Sequence, residues 1–120
     1  MKVQFICYSR CSTCKKAEKW LEENKIDFIK REIVDDIPTK EELKKWLTMS
    51  GKEIKSFFNT SGLKYKELNL KEKLPQMTED EKLNLLSSNG MLIKRPILVT
   101  DNKVLLGFKE KEWRENRKEM

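Results

Sequence analysis

The sequence predicts an α/β (α+β) domain built on a mixed four-stranded sheet with an inserted helical subdomain. Three observations predict it. An N-terminal apolar run, an amphipathic helix and a second apolar run make a β-α-β unit, which implies a parallel pair with a crossover helix. The long middle of the chain then reads as helices only. The end reads as a proline-led strand, a tight turn, a return strand and a last helix. The 120 residues suit one domain, divided into a sheet-bearing core of 1–35 and 91–120 and a helical insert of 36–90.

Taken in order, Val3 to Cys7 is short, β-branched and aromatic-rich, the signature of a buried strand. From Ser12 to Asn24 the apolar period changes, and Ala17, Trp20 and Leu21 fall at i, i+3 and i+4. Asp27 to Ile33 reads as a second strand. In "TKEE" Thr39 is an N-cap with Glu42 at N3, a capping box. Leu43, Trp46 and Leu47 follow as its apolar stripe, and Gly51 is the stop. A short helix is expected over Glu53 to Phe58, a turn at "NTSG", and another helical piece over Tyr65 to Leu70. "TEDE" repeats the capping box with Thr78 and Glu81, after which Leu83 and Leu86 face inward. Pro96 leads the strand Ile97 to Thr100, Asp101-Asn102 turns, and Val104 to Phe108 returns as a hairpin. A helix from Glu110 to Arg117 carries Trp113. The three tryptophans fit core packing.

Composition excludes several chemistries. The chain has no histidine, so a Ser-His-Asp triad, a Cys-His pair and an HExxH zinc site are ruled out. Its net charge is +6, but the signs alternate in "KEKEWRENRKEM" and between Lys40 and Lys55. That pattern suits a solvated surface rather than a nucleic-acid face. No apolar run is long enough to span a bilayer, so neither a membrane nor direct nucleic-acid binding is expected. "MKVQFICYS" is too short and too quickly polar for an export signal. The expected compartment is therefore the cytoplasm, where structural disulfides are rare.

The chemistry concentrates in "FICYSRCSTCKKAEKW". Two of three cysteines stand where the first strand gives way to the first helix. They could be metal ligands, a structural staple or a reactive pair. A zinc site needs about four ligands, and Cys7, Cys11 and Cys14 would need a carboxylate to complete one. A reactive pair has a local physical cause. The first helical N–H groups lack intrahelical partners and the helix dipole is positive there, which favours a thiolate at Cys11. Arg10, Lys15 and Lys16 add positive charge. Cys14, three residues on, is placed to resolve a mixed disulfide as the second thiol. Cys7 ends the apolar strand and reads as a small buried hydrophobe. In "KRP", Arg95 precedes a proline, which holds it extended. Its planar fork suits a carboxylate or oxyanion. Ser12, Thr13 and Lys15 join it as the expected substrate- or oxyanion-binding residues.

With "FFNTSGLKYKELNL", "GMLIKRPILV" and "LLGFKEKEW", the chain resembles the ArsC/Spx/YffB family along essentially its whole length, and within it the YusI-type branch. The resemblance implies a thioredoxin fold with a helical insert. It also implies that Pro96 is a cis-proline facing the redox cysteine and that Arg95 lies near Cys11. In the arsenate reductases of this family one cysteine attacks arsenate and three arginines surround the oxyanion. Cys11 and Arg95 match that cysteine and one arginine. The other two arginines fall at Asn59 and Gly107, and the arginine that Spx and YffB carry after "NT" falls at Ser61. Cys7 stands where those reductases have a histidine, while Lys15 keeps a cation. Cys14 matches Spx. An arsenate dianion needs dense donor charge, so the loss of two arginines counts against efficient arsenate reduction. Two functions follow. One is an arsenate-reductase-like thiol–disulfide oxidoreductase, with no bound cofactor. It would use glutathione or another low-molecular-weight thiol as co-substrate, or a thiol-reducing partner protein. The alternative is an Spx-like redox-switched regulator that binds RNA polymerase.

Overall fold

A computed structural model describes residues 3–120. The reading of the first residues as no export signal touches Met1 and Lys2, which lie outside the described residues. By its internal contacts the chain divides into two compact units, Met1–Glu32 with Arg95–Met120, and Ile33–Lys94.

The first unit holds a mixed four-stranded sheet. β1 (Val3–Cys7) pairs in parallel with β2 (Phe28–Glu32), from Val3 opposite Phe28 to Cys7 opposite Glu32. The crossover between them is α1 (Ser12–Glu23). On its other side β1 pairs antiparallel with β3 (Ile97–Val99), which pairs antiparallel with β4 (Val104–Leu106). The sheet order is β2-β1-β3-β4, and with α1 and a C-terminal helix this is a thioredoxin-like architecture. Alternation along the strands sends Val3, Phe5 and Cys7 to one face with Leu98 and Leu105. There they meet Cys14, Ala17, Trp20 and Leu21 of α1 and Trp113 in one buried cluster.

The second unit is helical. α2 (Lys40–Ser50) and a later helix, Glu79–Ser88, both open on complete capping boxes. In the first, Thr39 accepts from the Glu42 N–H at 3.1 Å and Glu42 accepts from the Thr39 N–H at 3.0 Å. Thr78 and Glu81 do the same at 3.1 and 2.8 Å. α2 stops at Gly51, whose φ of 66° is the left-handed cap conformation. Lys40 and Asp80 form an ion pair. Each threonine cap satisfies an otherwise orphaned N–H, so Thr39→Ala and Thr78→Ala should each cost about 1 kcal/mol. Paired denaturant titrations of the single and double variants check this, and the two losses should add.

Several expected boundaries move. The short helix expected around Glu53 to Phe58 is a 3₁₀ helix over Ile54–Phe57. Phe58 leaves it extended to bridge Ile93, so four residues are all the turn can take. The single piece expected over Tyr65 to Leu70 is two helices, α3 (Leu63–Glu67) and α4 (Leu70–Lys73), broken where Asn69 adopts φ 53°. α5 is Glu79–Ser88. β3 ends at Val99 because the Thr100 hydroxyl turns to accept from Lys103 N–H at 2.9 Å. β4 ends at Leu106 because Gly107, at φ 72°, leaves the strand. The last helix, α6 (Glu110–Glu115), stops before Arg117. That residue starts a 3₁₀ turn and donates from Nη2 to the Asn24 carbonyl at 2.9 Å. Leu47 is half-buried, leaving Leu43 and Trp46 as the buried residues of α2.

Candidate functional site

Strand β1 delivers the chain to a four-residue bend before α1. Cys11 is the N-cap residue of α1, at φ −88° and ψ 122°. Its own N–H donates to the Tyr8 carbonyl at 3.0 Å, and its carbonyl accepts the first helical bond, from Lys15 N–H, at 3.1 Å. The bend is held at two further points. Tyr8 N–H donates to Cys14 Sγ at 3.3 Å, and Ser9 N–H donates to the Glu32 carboxylate, 3.2 Å from each oxygen. Parallel pairing of Cys7 with Glu32 puts that carboxylate at the right height.

The three thiols are free and unlike. Cys11 is half-buried, whereas Cys7 and Cys14 are 1% and 2% exposed. Burial pushes the Cys11 thiol up, but four effects together outweigh it and hold it below the ordinary thiol value. These are the Cys14 N–H, the Cys14 thiol donating toward its sulfur, the Thr13 N–H and the charge of Arg95. Burial pushes Cys14 up to about 12, against the Tyr8 N–H and helped by the Cys11 sulfur it serves. Burial likewise pushes Cys7 up to about 11, partly offset by Lys30. Lys30 itself pairs with Glu18 at 3.1 Å. One poised thiol and one reluctant neighbour therefore stand side by side at a helix start.

Arg95 supplies the cation that acts on Cys11. Its guanidinium stacks over the Tyr8 ring, 4.9 Å from the centroid. Its Nε and Nη1 are buried and make no hydrogen bond. Two donors of a fixed fork are thus held without an acceptor, an arrangement that fits an incoming carboxylate or other oxyanion. The peptide bond from Arg95 to Pro96 is cis, and Pro96 is buried. Of the other expected binding residues, Thr13 acts through its backbone N–H. The side chains of Ser12, Thr13 and Lys15, like those of Arg10 and Lys16, are exposed. Among the described residues no group of three or more histidine, cysteine or acidic residues is arranged to hold a metal ion. Among the same residues no helix is long and apolar enough to cross a membrane.

Sequence reasoning missed Tyr8 and Glu32. Tyr8 holds both ends of the bend and supports the guanidinium, and Glu32 ties the bend to β2. Tyr8 had a weak signal, an aromatic between the strand and CxxC. Glu32 had none, because its partner lies 23 residues away. Gly107, where the resemblance places an arginine, combines φ 72° with an N–H donating to the Pro96 carbonyl at 2.7 Å. A side-chain-bearing residue is disfavoured at that φ, so this backbone suits glycine better than the third arginine.

The chain matches the ArsC family model over residues 7–116. It is 53% identical over 116 residues to the uncharacterized protein YusI of Bacillus subtilis (strain 168), covering 97% of this chain and 98% of that protein. Regulatory protein MgsR of the same organism is 35% identical over 107 residues, covering 89% and 83%. The crystal structure of an ArsC family related protein from Bacteroides fragilis superposes with a TM-score of 0.92 at 57% identity, covering 96% and 97% of the two chains.

Proposed function

The chain belongs to the ArsC family, and from that membership we propose that it works as a thiol–disulfide oxidoreductase with Cys11 as nucleophile and Cys14 as resolving thiol. The observation that carries this reading is the placement of the two thiols, Cys11 capping α1 and Cys14 buried in its first turn, which tunes them in opposite directions. The thiolate is the attacking species, and Cys11 is the cysteine whose surroundings favour it. Cys11 attacks one sulfur of a substrate disulfide. A Cys11–S bond forms, the substrate S–S bond breaks, and one thiolate leaves. Cys14 then loses its proton to the departing thiolate or to water and attacks the Cys11 sulfur. The second half of the substrate leaves, and the pair remains as a disulfide holding none of the two electrons it has given up. After burial, the pressures that keep Cys14 protonated include the Cys11 sulfur itself. Once Cys11 is uncharged in the mixed disulfide those pressures fall, and Cys14 becomes a competent attacker at the moment it is needed. Two equivalents of glutathione or another low-molecular-weight thiol, or a partner dithiol protein, return the pair to the reduced state.

Arg95 anchors the substrate through a carboxylate or oxyanion beside the reacting sulfur. Arsenate fits less well, since Arg95 is the one arginine that the family's arsenate-binding set leaves here. In reduced protein, the iodoacetamide reaction of Cys11 should rise with pH and level off below the range of an ordinary thiol. Arg95→Met removes the stabilising cation, so the inflection should move to higher pH and the rate at neutral pH should fall severalfold. An unchanged profile would show that Arg95 does not act on this sulfur.

A second reading is a redox-switched regulator. MgsR, a relative with regulatory function in its name, favours it. In this reading the same pair is a switch, and RNA polymerase is the partner. Capture of purified RNA polymerase in one redox state of the pair and not the other would support it. Equal capture, or none, in both states would reject it.

A further inference from the structure

The helical unit contains a cavity of about 440 Å³, within the range of small-molecule sites. All of its walls come from that unit. Ile54, Tyr65, Leu74 and Pro75 line it with apolar surface. Tyr65 and Leu74 are 5% and 4% exposed, so the floor is fixed rather than a scatter of surface side chains. Three lysines also line it, and each comes from a different element: Lys55 from the 3₁₀ turn, Lys71 from α4 and Lys82 from α5.

Two features ask for a ligand. None of the three ammonium groups makes an ion pair or hydrogen bond among the described residues. Elsewhere in this unit Lys40 pairs with Asp80 and Lys64 with Glu67. Tyr65 is almost wholly buried, stacks edge-on with Phe58 at 6.3 Å, and yet its hydroxyl has no hydrogen-bond partner among the described residues. That hydroxyl is not among the sealed polar atoms without a partner, so it reaches open space, and the residue lines the cavity. Two acids, Glu53 and Glu79, are also present. Glu79 is in the first turn of α5, where the positive end of the helix dipole offsets its charge. The remaining field favours an anion.

We propose that this cavity binds a small organic monocarboxylate with an apolar body. The body lies on Ile54, Leu74, Pro75 and the Tyr65 ring. The carboxylate accepts from the Tyr65 hydroxyl and is neutralised by Lys71 and Lys82, with Lys55 closing the rim. The site is independent of Cys11 and of the redox function proposed above.

The test is an amide-NMR titration of the whole reduced chain with octanoate, and in parallel with octylammonium, which has the same body and the opposite charge. Saturable shifts with octanoate, confined to 53–55, 65 and 71–82, with octylammonium at least tenfold weaker, are expected. Tyr65→Phe keeps the ring and its packing, and should weaken octanoate severalfold. Lys82→Glu should weaken it by tenfold or more and lift octylammonium. Equal binding of the two probes, shifts spread across the chain, or affinity unchanged in both variants would overturn the proposal.

Discussion

Cys11→Ser should reduce disulfide-reducing turnover to the uncatalysed background, a loss on the order of a thousandfold or more, as removal of a nucleophile does. The hydroxyl of serine is not ionised by the dipoles and the single guanidinium that suffice for a thiol. The chain has no histidine to act as a base in their place. Cys14→Ser should behave differently. Cys11 stays ionisable, so its first attack survives and the protein stalls as a mixed disulfide. Mass spectrometry after exposure to an oxidised low-molecular-weight thiol should find one adduct on the Cys14→Ser protein and none on Cys11→Ser. Cys14→Ser also removes a donor toward the Cys11 sulfur, so the Cys11 alkylation inflection should move upward in that variant. Turnover retained by Cys11→Ser, or adducts on Cys14 when Cys11 is absent, would reverse the assignment of roles.

What was legible in the sequence was what sequence neighbours decide. Strand β1, the period of α1, both threonine capping boxes and the glycine stop of α2 all depend on residues within a turn of one another, and each is present. The preference of a helix start for a thiolate is equally local, so Cys11 and Cys14 stood out without coordinates. The misplaced elements turn on backbone conformations that neighbouring residue types permit but do not dictate. Asn69 splits a helix because its backbone turns left-handed. β4 stops two residues early because Gly107, at φ 72°, leaves the strand, its carbonyl accepting from the Trp113 indole. The site shows the same division. The resemblance implies that Arg95 lies near Cys11, and the cation acting on that sulfur is indeed this residue, brought in by the pairing of β3 with β1 rather than by nearness in the chain. The weak signal of its support, Tyr8, gains meaning once the two stand side by side.

Trp113→Ala should be the most damaging core substitution. The residue is fully buried at the centre of an aromatic cluster. It meets Phe108 at 4.9 Å, Trp20 at 5.7 Å and Phe5 at 6.5 Å, each edge to face. Emptying that volume should cost about 3–5 kcal/mol, against a total near 5–15 kcal/mol for a domain of ordinary stability. A thermal midpoint lower by roughly 10–20 °C follows for a chain of this length. The indole also donates to the Gly107 carbonyl at 3.1 Å inside the core. Trp113→Phe keeps most of the aromatic surface but leaves that carbonyl unmatched, so it should cost about 1–3 kcal/mol. The second variant carries the argument into the site. Gly107 also donates to Pro96, the neighbour of Arg95, so slack at Gly107 loosens the strand start that aims the guanidinium. Trp113→Phe should then fold, yet show a Cys11 alkylation inflection shifted upward in the direction of Arg95→Met. A folded Trp113→Phe protein with the wild-type profile would mean that the aromatic cluster supports the sheet alone and that Arg95 is positioned without it.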